Sequence, residues 1–285
     1  MVLIFDAPEG EKRGMLWLIV GIAAAVACLY LFLIAPGRNA RKRGAAIPRV
    51  PYAHRGMYGG EVPENSLSAF KRAAEKGYGF ELDVHLTKDG RLAVIHDANP
   101  LRMCGAEGNV ARMTEKELRA LRLNGTDEPI PFLEEVLGAV QAYRPPLIVE
   151  LKSEGDSWKT LPKRALEALQ AYPGFWCMES FDPRMLREIR RLSPETVRGQ
   201  LAYDARLAGE RHREIYYFFG AHLLMDCLSR PDFIAYRHDT DRKISFRLVK
   251  RLFHPVLTAW TVRTPEDFKK LRSAYDVQIF EGFEP

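Results

Sequence analysis

The chain has 285 residues, of which 47% are hydrophobic, 28% charged and 11% aromatic. This length and composition suffice for a full hydrophobic core and exclude a disordered, collagen-like or disulfide-scaffold class for most of the chain. The formal charge is +5, but residues 1–50 carry seven basic and three acidic side chains, which leaves +1 on residues 51–285. The nearly balanced charge of this main body argues against a nucleic-acid partner.

The first predicted element is an apolar helix at residues 15–34, preceded by an N-terminal tail at residues 1–14. It contains twenty consecutive residues without a charged side chain, which at about 1.5 Å rise per residue just span a hydrocarbon core of ~30 Å. We therefore expect a single-pass transmembrane helix in the cell membrane. The alternative is a cleaved signal peptide, whose apolar region is usually only ~7–15 residues long.

A basic juxtamembrane linker is predicted at residues 35–50. Its positive charge is concentrated in Arg38, Arg41, Lys42 and Arg43. Because basic flanks favour the cytoplasmic side of a membrane, we expect the main body to lie in the cytoplasm. The same basic residues suit anionic lipid headgroups, at about 1 kcal/mol each near the surface. The four cysteines show no CxxC spacing, which agrees with a reducing compartment.

From residue 51 onward, short apolar runs alternate with longer amphipathic stretches, the pattern of βα units. The predicted strands are Tyr52–His54, Phe80–His85, Leu147–Lys152, Phe175–Glu179, Val197–Ala202, Phe233–Tyr236, Val256–Val262 and Val277–Phe280. The predicted helices are Ser66–Lys76, Phe132–Tyr143, Leu161–Tyr172, Pro183–Leu192, Lys243–Phe253 and Pro265–Ser273. Eight strands with helical returns predict an α/β fold, a (β/α)8 TIM barrel over residues 51–285.

Two features interrupt this alternation after the second strand. Residues 87–90 form a turn signal between two apolar runs, which predicts a hairpin ending near His96. The stretch at about 98–130 is longer than a usual barrel loop and has one short helix candidate, Thr114–Leu121. We expect a small insertion on the face at the strand carboxyl ends, where barrel enzymes place substrate-binding structure.

Histidines and carboxylates lie where this barrel would keep an active site. His54 and His96 each close a predicted strand run. Glu81 and Asp83 share one face of the second strand, because side chains alternate along a strand. Carboxylates directed into a barrel are costly unless they bind a cation or are paired. An inward network of salt bridges with Arg55 and Lys152 is the structural alternative to a metal site.

The next strand repeats the arrangement, with Glu150 and Lys152 on one face. Three inward carboxylates without Cys or His ligand spacing predict a hard-oxygen site for one divalent cation, Mg²⁺ or Ca²⁺ rather than zinc. A metal and basic side chains would stabilise charge on phosphoryl oxygens, while two imidazoles serve as acid and base. The set therefore suits attack on a phosphate.

Ordered motifs run through the whole main body. They are AHRG at 53–56, PENSLSAF at 63–70, ELDVHLTKDG at 81–90, VIHD at 94–97, VELK at 149–152, SFDP at 180–183, WTV at 260–262 and TPEDF at 264–268. Together they resemble the glycerophosphodiester phosphodiesterase family, and the resemblance covers essentially all of residues 51–285.

The resemblance implies a divalent-metal phosphodiesterase of lipid metabolism that cleaves glycerophosphodiesters to glycerol 3-phosphate and an alcohol. The matched positions are His54 and His96 for the catalytic acid/base pair, Glu81, Asp83 and Glu150 for the metal ligands, and Arg55 and Lys152 for the phosphate-contacting cations. Residues 98–130 match the small insertion of the family. Trp260 is expected to line the alcohol side of the site, with a buried structural tryptophan as the alternative.

Some positions carry a second interpretation or depart from the family pattern. Glu64 and Asn65 match a family motif but also open a predicted helix, where a capping role is the alternative. The last strand usually ends in a Thr-Asp pair, whereas this chain has Glu281 followed by a glycine, with no eighth helix after it. We expect segment 36–50 or the membrane to cover that flank. Arg263 stands where Asn is common.

The expected function is a membrane-anchored hydrolase of glycerophosphodiesters or, because the anchor holds the site near the bilayer, of lysophospholipids. One alternative is a phospholipase-like lyase that forms a cyclic phosphate with the same histidines and metal. The other is a catalytically silent membrane-bound barrel. The silent barrel is disfavoured because every predicted ionisable catalytic position is occupied.

Overall fold

The computed structural model describes residues 9–209 and 215–285, and its strands in these ranges form one sheet. The strands are β1 (Tyr52–Ala53), β2 (Gly79–Leu86), β3 (Leu92–Val94), β4 (Leu147–Leu151), β5 (Trp176–Ser180), β6 (Arg198–Ala202), β7 (Phe233–Arg237), β8 (Val256–Val262) and β9 (Val277–Phe280). All except β3 are parallel neighbours in chain order, and β9 pairs back with β1. The sheet is therefore a closed eight-stranded barrel, and the predicted TIM barrel is confirmed.

Helices cover the outside of the barrel. Those of the described residues are α1 (Glu9–Ile34), α2 (Ala40–Gly44), α3 (Leu67–Glu75), α4 (Leu101–Cys104), α5 (Glu115–Arg119), α6 (Leu133–Val140), α7 (Leu161–Leu169), α8 (Pro183–Leu192), α9 (Ile215–Ala221), α10 (Asp226–Ser229), α11 (Ile244–Leu252) and α12 (Pro265–Leu271). The sequence pattern indicates neither α9 nor α10. An all-apolar stretch such as IYYFFGA has no polar face to set a helical period.

The alternation of side chains along β2 separates the core from the site. Phe80, Leu82 and Val84 pack between the barrel and its helices, whereas Glu81 and Asp83 face the interior with the charged groups of β4. The amino-terminal half of the interior is filled by an apolar cluster that includes Ile148, Phe233 and Ile279. The inward-facing charged residues of β2 and β4 therefore lie in the carboxyl-end half, where barrel enzymes keep their sites.

The hairpin and the insertion after β2 are both present. β3 pairs antiparallel with β2, with Val84 opposite Val94. Residues 98–130 enclose a small core of their own, which includes Met103, Leu118 and Ile130. Arg102 and Asn109 tie this insertion to Glu64 and Glu154, which lie in the loops after β1 and β4. The insertion therefore borders the carboxyl-end face.

The N-terminal segment combines an exposed helix with a packed connection. In α1, residues 10–29 are almost wholly exposed, and the span Gly10–Ile34 is long and apolar enough to cross a membrane, a property that signal sequences share. The end of α1 and residues 36–50 pack against the amino-terminal end of the barrel. Ile47 is fully buried in the interior cluster, and Arg43 donates a hydrogen bond to Asp232 at 2.8 Å.

The flank beyond the last strand is covered by residues 281–285, so the expectation that segment 36–50 closes it is wrong. Phe283 packs on the rings of Phe268 and Phe280, and Lys76 of the α3 end pairs with Glu284 at 2.6 Å. Segment 36–50 packs instead against the amino-terminal end of the barrel, where Ile47 is part of the interior cluster.

Candidate active site

The turn after β1 carries the first site residues. Gly56 has a φ of 79°, and a Cβ atom there would lie 2.8 Å from the Cβ of Ala69, so the turn admits only glycine. Arg55 itself has a φ of 55°. This backbone directs the amide of Arg55 to Oε2 of Glu81 at 3.0 Å. The His-Arg-Gly sequence thus holds His54 and Arg55 against the second strand.

Three buried carboxylates converge in the carboxyl-end half of the barrel. One oxygen from each of Glu81, Asp83 and Glu150 lies within 4.8 Å of the others. The parallel register of β2 and β4 explains the approach, since it sets Asp83 directly beside Glu150. Among the described residues, Oε1 of Glu81 has no hydrogen-bond partner although it is buried. An unpaired buried carboxylate oxygen is costly without a cation.

Two basic side chains complete the cluster. Nζ of Lys152 lies 2.8 Å from Oδ1 of Asp83 and 2.7 Å from Oε1 of Glu150. Nε of Arg55 lies 3.4 Å from Oδ2 of Asp83. The salt-bridge network offered as the structural alternative is therefore present around Asp83 and Glu150, but it leaves Glu81 Oε1 unpaired.

Burial and neighbouring charge drive the carboxyl pKa values apart. Burial raises the pKa of Glu81 well above its usual value, with the Asp83 charge adding to the effect. Burial also raises the pKa of Glu150, to about 7. Burial opposes ionisation of Asp83 too, but Lys152, His96 and Arg55 outweigh it and hold its pKa well below the usual range. Groups with such divergent pKa values are typical of functional sites.

A fourth carboxylate, Glu179, was missed by the sequence analysis. It lies on β5 directly beside Glu150 and lines the same cavity. Burial, followed by the Glu150 charge, raises its pKa well above the usual value. Its position on the inward face of β5, two residues after Cys177, is the signal that identifies it. With Glu179, four carboxylates face two cations here, and a divalent cation would balance that charge.

Each histidine is held by a carboxylate, His54 by one that follows a different strand and His96 by its neighbour in sequence. Nδ1 of His54 lies 2.5 Å from Oε2 of Glu281, which directly follows β9. Nδ1 of His96 lies 2.6 Å from Oδ1 of Asp97, which in turn accepts from Nε of Arg102 in the insertion. Burial lowers the pKa of both imidazoles, that of His96 to about 4. A carboxylate at Nδ1 fixes the tautomer and leaves Nε2 as the reactive nitrogen.

His96 reaches the site through the hairpin. β3 runs back along β2, and the amide of Ile95 donates to the carbonyl oxygen of Asp83 at 3.1 Å. His96 therefore lies at the level of the carboxylates although it follows an antiparallel strand.

Glu64 and Asn65 do not cap α3. The capping role considered for them belongs to Ser66. The Ser66 side chain accepts a hydrogen bond from the amide of Ala69 and is the N-cap. Oε1 of Glu64 instead accepts a hydrogen bond from Arg55 at 2.9 Å. The side-chain amide of Asn65 donates from Nδ2 to Oδ2 of Asp83 at 2.8 Å. Both side chains thus orient groups of the site.

A cavity of about 400 Å³ opens over these groups. One wall is charged and holds His54, His96 and the carboxylates; the opposite wall is aromatic. The aromatic wall consists of Phe181, Tyr203, Tyr216, Tyr217 and Trp260. Trp260 is partly exposed to the cavity and is fixed by a hydrogen bond from Nε1 to the carbonyl oxygen of Ala235 at 3.0 Å. Of these residues the sequence analysis identified only Trp260.

The eight predicted site residues come together in this one region. Seven of them line the cavity, and Asp83 lies among them in the carboxylate cluster. The donor set fits a hard divalent cation, since it offers only carboxylate oxygens and includes one buried oxygen without a partner. A cation, two basic side chains and two oriented imidazoles are what phosphoryl chemistry needs.

Comparison with known proteins agrees with this geometry. Residues 54–277 match the Glycerophosphoryl diester phosphodiesterase family. The chain is 28% identical over 241 residues to the uncharacterized protein YqiK of Bacillus subtilis, covering 81% of this chain and 94% of that protein. It is 35% identical over 158 residues to a glycerophosphodiester phosphodiesterase of Caldanaerobacter subterraneus, covering 52% and 65%.

The fold is also similar to that of a phosphodiesterase from Oleispira antarctica solved in complex with the product sn-glycerol-3-phosphate. The TM-score is 0.68 at 20% identity, and the match covers 84% of this chain and 94% of the other.

Proposed function

The chain belongs to the glycerophosphoryl diester phosphodiesterase family, and we propose that it hydrolyses glycerophosphodiesters with His54 and His96 as the acid/base pair beside one divalent cation. Family membership makes the protein a metal-dependent phosphodiesterase of glycerophosphodiesters. The observation that carries the finer proposal is the approach of three buried carboxylates to within 4.8 Å, flanked by two imidazoles that carboxylates orient.

Glu81, Asp83 and Glu150 would hold the cation, Mg²⁺ or Ca²⁺ by the hardness of their oxygens. When bound, it supplies positive charge that stabilises the phosphoryl oxygens during attack. The depressed pKa of Asp83 keeps one ligand ionised. Burial raises the pKa values of Glu81 and Glu150, and a bound cation would favour their ionised forms.

Arg55 and Lys152 bind and orient the phosphate in this proposal. Both side chains line the cavity beside the carboxylates and remain charged, because the acidic neighbours raise their pKa values against the effect of burial. Arginine and lysine donors fixed before substrate arrives stabilise developing charge without reorganisation.

His54 and His96 move the protons. Each imidazole has Nδ1 held by a carboxylate, so Nε2 is left to exchange a proton with the reactants. One imidazole accepts the proton of the attacking water, and the other donates a proton to the oxygen of the leaving alcohol. The products are glycerol 3-phosphate and the free alcohol.

We also propose that α1 anchors the enzyme in the cell membrane, with the barrel in the cytoplasm. The exposed apolar surface of α1 supports an anchor, and the basic residues that follow it support the orientation. An anchored site meets lipid-derived substrates at a raised local concentration. We therefore propose lysophospholipids as substrates in addition to water-soluble glycerophosphodiesters.

The test is release of glycerol 3-phosphate from glycerophosphodiesters, and of lysophosphatidic acid from lysophospholipids, by the full chain in Mg²⁺, Mn²⁺ or Ca²⁺. The wild type is expected to release product only when a metal is present. His54→Ala and Glu81→Ala are expected to fold and to lose turnover. Retained activity in either variant, or no product from either substrate with any metal, would refute the proposal.

A further inference from the structure

The helix α9 exposes an unusual amount of apolar surface. Ile215 is 73% exposed, Phe218 50% and Phe219 37%, and of the residues of α9 only Ala221 is buried. A helix on a barrel normally buries its apolar stripe and turns polar side chains to water. Clustered exposed aromatic side chains of this kind mark an interaction surface.

The same helix forms part of the cavity rim. Tyr216 and Tyr217 line the cavity, and the hydroxyl of Tyr216 donates to the carbonyl oxygen of Phe181 at 2.7 Å. The ring of Tyr217 lies 6.5 Å from that of Tyr203, which is 6.0 Å from Trp260. Aromatic surface therefore runs without interruption from the reactive groups to the outside of α9.

The chain after α9 leads toward the apolar helix α1. Residues 222–225 connect α9 to α10; Leu223 among them is buried, whereas Leu228 on α10 is exposed. The end of α1 packs on α10. Arg230, just after α10, donates to the carbonyl oxygens of Phe32 and Ala35 and lies over the Phe32 ring. The chain that leaves α9 therefore reaches the base of α1 through α10.

The positive charge of the residues that follow α1 is suited to an anionic lipid surface. Arg38, Arg41 and Lys42 follow α1 and are exposed. Basic residues next to an apolar segment are attracted to anionic headgroups, and aromatic side chains favour the headgroup boundary. A bilayer matches both the exposed apolar surface of α9 and the basic residues after α1, whereas a polar protein partner would match only the charge.

We propose that α9 inserts Ile215, Phe218 and Phe219 into the bilayer interface, so that the cavity opens onto the membrane and accepts single-chain glycerophosphodiester lipids directly from it. The aromatic wall of the cavity then contacts the apolar part of the lipid, while the charged wall holds its phosphate. This inference rests on the proposed function and adds the route by which the substrate arrives.

The kinetic test uses the full chain reconstituted in phosphatidylcholine vesicles. Phe218→Ser/Phe219→Ser removes the insertion surface without touching the cavity. It is expected to lower kcat/KM at least about ten-fold for lysophosphatidylcholine in the vesicle and to leave soluble glycerophosphocholine within about two-fold. The matched control is Leu101→Ser/Tyr143→Ser, which removes two side chains of similar exposure, 45% and 52%, outside α9. The control is expected to alter neither substrate.

A second measurement reports insertion without activity. Tryptophan fluorescence of Phe219→Trp is expected to be quenched by phospholipids brominated in the acyl chain, beyond the quenching of the parent protein. Tyr143→Trp is expected to show no added quenching. Absent quenching, or a crosslinked dimer through α9, would overturn the inference, as would equal lysolipid turnover by Phe218→Ser/Phe219→Ser and wild type. Failure of the wild type on glycerophosphocholine as well would instead overturn the proposed function.

Discussion

The imidazole of His54 and the carboxylate of Glu281 are joined by a 2.5 Å contact between Nδ1 and Oε2. The two residues directly follow the first and last strands, β1 and β9, which pair to close the barrel. Closure of the barrel therefore brings His54 and Glu281 together. The His54 contact in turn lowers the pKa of Glu281 to about 2 against the effect of burial, so this carboxylate is ionised.

Glu281→Gln is expected to lower kcat about 10²-fold with little change in KM, because a neutral amide neither fixes the tautomer of His54 nor stabilises its charged form. Steady-state kinetics on a soluble glycerophosphodiester measure the effect. Arg263→Met is the control, since it removes another partner of Glu281, 3.2 Å away, and spares His54. A kcat for Glu281→Gln within two-fold of wild type would contradict the positioning role.

Divalent metal is expected to raise the thermal stability of the wild type, by about 2.7 kcal/mol when the free metal is about 100 times its Kd. Glu81→Gln should lose this gain, because it replaces a metal ligand. Glu179→Gln is the matched control, a buried carboxyl on β5 that is outside the three-carboxylate cluster. Calorimetric Tm values with Mg²⁺, Ca²⁺ or EDTA test this. Equal metal-dependent gains in wild type and Glu81→Gln would be inconsistent with the assigned ligands.

Ile47→Ala is expected to destabilise the protein by about 2–5 kcal/mol, because it leaves a cavity in the interior cluster. The position lies outside the matched family region, 54–277, so the prediction tests whether segment 36–50 belongs to the folded domain. Urea unfolding of the full chain measures the change. Arg41→Ala, at an exposed position of the same segment, should stay within about 0.5 kcal/mol. Equal effects of the two substitutions would show that the segment is not packed.

Asp226→Asn is expected to raise Tm, and more so at higher pH. The Asp226 carboxyl is buried, neither of its oxygens has a hydrogen-bond partner among the described residues, and burial raises its pKa well above 3.8. As pH rises above the unfolded pKa, the unfolded chain releases this proton while the folded chain retains it, so wild-type stability falls. Asparagine has no such proton. The Tm difference between Asp226→Asn and wild type should therefore grow between about pH 4 and about pH 8. A constant difference would show that the Asp226 carboxyl does not keep its proton in the folded protein.

The sequence predicts the strands of the barrel well because each is a short apolar run bounded by turn or cap residues. β8 and β9 have the predicted bounds, and α8 does too. The inward carboxylates could also be predicted from the sequence, because alternation of side chains along β2 and β4 assigns Glu81, Asp83 and Glu150 to the inward face.

Contacts between residues far apart in the sequence could not be predicted from the spacing of motifs. Glu281 lies 227 residues from His54, and only closure of the barrel brings them together, so a position that reads as a departure from the family pattern supplies a site group. Glu179 was open to the alternation argument but lacks a second charged neighbour on its strand to draw notice. Tyr216 and Tyr217 of the aromatic wall lie on α9, whose apolar sequence has no periodicity.

Metal-dependent hydrolysis at this site is tested most directly by phosphorus NMR of the product from glycerophosphocholine. In the presence of Mg²⁺ or Ca²⁺ the full chain is expected to convert the diester resonance into that of glycerol 3-phosphate, with no conversion in EDTA or by His54→Ala. A cyclic phosphate product, or conversion that persists without metal, would contradict the account.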